Sequence, residues 1–112
     1  MDLNLNVFDN LSELQRKSLI WQNRNFPMGK PYQPLLGALE ELGELAHAHL
    51  KCEQGIRDTK QEDKEDAVAD VIIYLVDYCN RNNIDMQKTV VETWNKVSQR
   101  DWIKYPKDGT TK

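Results

Sequence analysis

The sequence predicts an all-α fold, a single four-helix bundle. Three observations lead there. Apolar residues recur at three- and four-residue steps over long stretches. No segment alternates apolar and polar residues in the manner of a half-buried strand. Helix-breaking residues cluster at Pro27-Met28-Gly29-Lys30-Pro31 and Pro34, then thin out until Pro106 and Gly109.

The first helix is expected from about Ser12 to Asn23. Ser12 and Gln15 suit a capping box, and Leu11, Leu14, Leu19 and Ile20 supply apolar positions. The Pro/Gly-rich stretch ends this helix and makes a long loop. Long loops in compact domains are often functional, which draws interest to Trp21, Asn25 and Phe26 at its entrance. A second helix is expected from about Leu35 to Cys52, with Leu35, Leu39, Leu42, Ala46 and Leu50 as its apolar stripe. The charged segment 53–62, containing Gly55, reads as a connection. The third helix spans roughly Asp63 to Arg81, closed by Asn82 and Asn83. Asp85 then N-caps a fourth helix running to about Arg100. The tail after about residue 103 is expected to be loose.

A chain of 112 residues fits one domain, taken as 1–112. No apolar run nears the roughly 20 residues needed to cross a bilayer, so no membrane partner is expected. The start lacks a basic region followed by an apolar block, and Cys52 and Cys79 form no CxxC. Those two features together predict a cytoplasmic protein with free thiols. A net charge of −3 argues against a surface built to neutralise nucleic-acid phosphates.

The acidic residues carry the chemistry. Glu40, Glu41 and Glu44 lie close together around the second helix, on the side opposite its leucine stripe. A solvated acidic face and a cation site both fit that position. On the third helix, Val68, Val71, Ile72, Ile73, Leu75, Val76 and Tyr78 point in almost every direction, the pattern of a buried helix. Asp66, Asp70 and Asp77 nevertheless share one stripe, with Asp63 beside them. Aligned buried carboxylates repel one another unless something positive sits among them. Two partners fit: a basic residue such as Lys96 or Arg100, or a divalent metal suited to hard oxygen ligands.

These residues resemble a known family. Glu40-Glu41-Leu42-Gly43-Glu44 matches the EExxE motif of MazG-like nucleotide pyrophosphohydrolases, and Asp70-Val71-Ile72-Ile73-Tyr74-Leu75 matches the end of their second motif, ExxD. The resemblance covers roughly Trp21 to Trp102. The Glu of ExxD is replaced by Ala67, with Asp66 one residue earlier, so the chain looks like a subgroup with a DAxxD-type second motif.

The resemblance implies a helical bundle, dimeric or tetrameric, that hydrolyses a nucleoside triphosphate to the monophosphate and diphosphate with Mg²⁺, or with Mn²⁺ in its place, and so clears the nucleotide pool. By the same resemblance Glu41, Glu44 and Asp70 are metal ligands, and Asp66 substitutes for the missing Glu. Glu40 and Glu41 would be catalytic, Glu40 orienting water. Tyr74 matches a residue near the nucleotide, and Lys96 and Arg100 match basic residues that meet phosphates. Trp21 and Phe26 suit either stacking on a base or core packing.

Two other readings are carried forward. Glu44 and His47 form a Glu-x-x-His pair like those of di-iron or di-manganese carboxylate bundles, though a second pair would have to come from another subunit. Ala67 also admits a non-catalytic interaction module whose acidic stripes pair with basic residues of a partner.

Overall fold

The computed structural model describes residues 5–110, so both ends of the 1–112 domain lie outside it. Those residues form four α-helices: α1 (Leu11–Asn25), α2 (Gln33–Glu53), α3 (Gln61–Arg81) and α4 (Met86–Val97). No strand is present among the described residues, and no helix is long and apolar enough to cross a membrane.

Local chemistry places the helix ends. The N-cap of α1 is Asn10, whose side chain accepts from the Glu13 amide at 2.8 Å, while the Glu13 carboxylate accepts from the Asp9 amide. Asn10 thus takes the part expected of Ser12. Gln15 is freed for a longer-range task. Its amide nitrogen donates to the Ile84 carbonyl at 2.6 Å and its oxygen accepts from the Met86 amide at 3.0 Å, tying α1 to the turn before α4. Helix α2 starts two residues ahead of the expected Leu35, with Pro34 in its first turn, where a missing N–H costs nothing. Helix α3 also starts two residues early, with Glu62 and Asp63 set against the positive end of its dipole. It closes through Asn83, which adopts φ 55°, a conformation Asn tolerates well.

Asp85 caps α4 as expected, accepting from the Lys88 amide at 3.1 Å. The helix stops at Val97, short of Arg100. The residues beyond it turn back on themselves instead of trailing loosely. Asp101 accepts from the amides of Ile103 and Lys104, and its own amide donates to the Gly109 carbonyl at 2.8 Å. Gly109, at φ 80°, is buried against Arg100 and Trp102.

The loop between α1 and α2 is fastened to the end of α3. Arg81 donates to the carbonyls of Gly29 (2.7 Å) and Phe26 (3.2 Å), and Asn82 donates to that of Pro31 (3.0 Å). Helix α2 lies along α3, and α1 packs on α3 and α4.

The α2 face turned towards α3 is not the leucine stripe. Pro34 and Ala38 are buried there, with Gly37, Glu41, Leu45 and Ala48 half-buried. Gly37 has a steric reason: a Cβ at that position would collide with the ring of Tyr74. Small residues bring the two helices close together, and Leu35, Leu39, Leu42 and Leu50 are left exposed. Helix α3 is correspondingly half-covered instead of surrounded, with Val68, Ile72 and Ile73 open to solvent.

The single chain is therefore extended. Its radius of gyration is 17.8 Å, against about 13 Å for a compact domain of this length. Its accessible surface is 8919 Å², against roughly 6,400 Å² for a folded monomer of this mass.

Candidate functional site

Two neighbouring cavities open where α2 lies along α3. The first, about 250 Å³, is lined by Glu41 and Glu44 from α2, by Asp63, Asp66 and Asp70 from α3, and by Thr59 from the connection. Thr59 is held there by donating to the Ala48 carbonyl at 2.9 Å. The second, about 510 Å³, has Trp21, Phe26 and Tyr74 in its walls together with Gln22, Asp77 and Arg81. Glu41 and Asp70 line both.

Among the described residues none of the five carboxylates of the first cavity has a cation within ion-pair distance. Partial withdrawal from water, then the negative charges of Glu44, Asp70 and Glu40, push the Glu41 carboxyl above its ordinary range. Asp77 differs from its stripe-mates. It is 6% exposed and paired with Arg81 of its own helix at 3.0 Å. The basic partner that sequence reasoning sought on the fourth helix is thus Arg81, and it serves Asp77 only.

As a donor set, unpaired hard oxygens suit Mg²⁺ or Mn²⁺. Among the described residues no three His, Cys, Asp or Glu side chains gather closely enough to form a finished ligand shell. The carboxylates face a shared space instead of one point.

The structure brings together Glu41, Glu44, Asp66 and Asp70, and it sets Trp21 and Tyr74 in the adjoining cavity. It does not bring in the others. Glu40 is exposed and lines neither cavity, reaching the site only through its charge on Glu41. Lys96 and Arg100 are also away from both cavities; Lys96 is exposed on α4, and Arg100 lies past its end against Gly109. His47 is exposed and lines neither cavity.

Sequence reasoning missed Gln22, Gly37 and Arg81. Arg81 stands four residues after Asp77, an ion-pair spacing that was available to be read. Gln22 and Gly37 acquire meaning only from the neighbours that packing gives them.

Comparisons with known protein families, with curated proteins and with solved structures give no match for this chain.

Proposed function

We propose that this chain is a Mg²⁺-dependent nucleoside triphosphate pyrophosphohydrolase, converting an NTP or dNTP and water to the monophosphate and diphosphate, working as a homodimer or homotetramer and clearing the nucleotide pool. One observation carries the reading: Glu41 and Asp70 form the boundary between a cavity of unpaired carboxylates and a cavity with aromatic walls. A triphosphate needs cations between itself and acidic protein groups, and its base needs a flat apolar surface next door. The MazG-like motifs fall on the same two helices.

Glu41, Glu44, Asp66 and Asp70 would hold the ion. When bound, Mg²⁺ (or Mn²⁺) neutralises phosphate oxygens and makes water a better nucleophile. Glu41, which lines both cavities, would stand nearest to the attacking water among the chain's own carboxylates. Tyr74 and Trp21 flank the path from the carboxylates to the base.

The extended shape supports assembly. An excess of roughly 2,500 Å² over a compact monomer is the scale of an obligate interface. The uncovered leucines of α2 and the apolar residues of α4, none of which is buried, are the surface that a second copy would cover.

The test is pyrophosphate release from a panel of nucleoside triphosphates with and without Mg²⁺. Release that depends on the metal is expected. Asp70→Asn and Glu44→Gln should each lower it at least ~100-fold while the helical circular dichroism is kept, given typical losses when a metal-site group is removed. No turnover with Mg²⁺ or Mn²⁺ would instead favour the non-catalytic module, the reading to which the open spacing of the carboxylates is best suited.

A further inference from the structure

We propose that the aromatic cavity is a nucleobase pocket selective for bases that carry an exocyclic amino group, with Gln22 and Asp77 as the groups that read it. The inference rests on the pyrophosphohydrolase reading for taking the ligand to be a nucleotide. Its own support is a different set of side chains.

Gln22 lies on α1, only 9% exposed, and lines the 510 Å³ cavity. Its side-chain amide has no hydrogen-bond partner among the described residues. No buried side-chain polar atom is sealed off without a partner there either, so the amide keeps its access to solvent through the cavity. An amide nine-tenths buried that meets only water through the cavity mouth has no protein bond to break, and it is free to pair with a ligand that displaces that water. Trp21 and Phe26, with ring centroids 5.8 Å apart in an edge-to-face arrangement, and Tyr74 provide flat apolar walls suited to a base.

Asp77 gives the pocket its chemical sign. Both of its oxygens accept from Arg81 Nε, at 3.0 and 3.2 Å. The two terminal nitrogens of Arg81 donate to the carbonyls of Gly29 and Phe26. Arg81 Nε takes one accepting position on each Asp77 oxygen and leaves others open, and a carboxylate can only accept. Cytosine and adenine offer what this pair of groups requires. Their amino group donates to Asp77, and the adjacent ring nitrogen accepts from the Gln22 amide. Guanine offers its own amino group and ring N–H, the latter to the Gln22 oxygen. Uracil and thymine have only N3–H to donate to Asp77, and it stands between two carbonyl oxygens that crowd the carboxylate, so they bind more weakly.

Equilibrium binding of cytidine, adenosine, uridine and thymidine to the full chain without metal, read by calorimetry and tryptophan fluorescence, tests the proposal. Nucleosides carry no phosphate, so the result is independent of the carboxylate cavity. Cytidine or adenosine should bind roughly tenfold more tightly than uridine and thymidine, the scale set by one unpaired buried polar group. Gln22→Leu and Gln22→Met should erase most of that ratio without lowering the melting temperature, since the amide has no protein partner to lose.

Equal binding of the four nucleosides, or binding of none, overturns the pocket, and an unchanged ratio in both variants overturns the role of Gln22. Pyrophosphate release measured in parallel separates the two readings. Release without nucleoside binding sinks the pocket alone. The expected ranking without release sinks the hydrolase alone.

Discussion

The two long faces of α2 meet different fates. One face, with Pro34, Gly37, Ala38, Glu41, Leu45 and Ala48, closes against α3 and shapes both cavities. The other carries the leucine stripe and stays open, with Leu39 65% and Leu42 52% exposed. The greasier face is the uncovered one. Apolar periodicity says that a helix surface wants covering; it does not say which neighbour covers it. Within the chain, small residues win the contact with α3 because they let two helix backbones come close, while leucines hold helices further apart. One face lines the cavities, and the other is the surface that the proposed assembly would cover.

The sharpest way to break that division is to charge the open face. Leu39→Asp combined with Leu42→Asp should convert an assembly to monomers of 13.1 kDa. Each leucine buried at an interface contributes about 1.5–3 kcal/mol, so the pair should weaken association by several kcal/mol. Light scattering on an eluting column reads the mass directly. A wild-type protein that is already monomeric at high concentration would show that the leucines need no cover from a second copy, and the division would fail.

Next in size is a probe of the closed face. Gly→Ala inside a helix ordinarily stabilises by about 1 kcal/mol. Gly37→Ala should do the reverse, because the added methyl meets the Tyr74 ring. A net loss of about 1–3 kcal/mol is expected in denaturant unfolding, typical of overpacking. Nucleoside affinity should fall as well, since the displaced ring is a wall of the aromatic cavity. A more stable Gly37→Ala variant would mean that the helices are not held at this spacing.

What could be read in advance follows the same line between local and tertiary causes. The four helices, the Asp85 cap and the Asn82-Asn83 stop depend on residues within a turn or two of one another, and all were legible. The meeting of the α2 and α3 acids was less so: the residues of α2 fit a solvated face equally well, and the resemblance was what paired the two stripes. The choice of Asn10 over Ser12 as cap was less visible, since Gln15 could satisfy a local cap on paper and is used instead to bond Ile84 and Met86. Lys96 and Arg100 are drawn towards the site by the need for a cation beside the carboxylates and by the resemblance, not by any local pattern. Their distance from the site follows from the direction α4 takes after Asp85, which no local pattern encodes. The inward turn of the small-residue face likewise depends on Tyr74, far along the chain and opposite Gly37.

The smallest expected effect concerns the charge on the closed face. In the metal-free protein the Glu41 carboxyl binds its proton more tightly folded than unfolded, through partial desolvation and through Glu44, Asp70 and Glu40. A raised folded value means that its contribution to stability is complete below the ordinary carboxylate range and is lost as pH rises through the raised value. At neutral pH, Glu41 is therefore a net cost to the metal-free fold. Glu41→Gln should melt at or slightly above the wild type near pH 7 without metal, and the difference should shrink as the solution is acidified below the ordinary range. Because the group is only half-buried, solvent screens the charges around it. Added Mg²⁺ should stabilise the wild type more than the variant, since only the wild type has the repulsion that a cation relieves. Thermal melts at several pH values, with and without Mg²⁺, read both effects. A metal-free variant less stable than the wild type at neutral pH would mean that a protein cation already compensates Glu41, and the acidic cavity would need no ion.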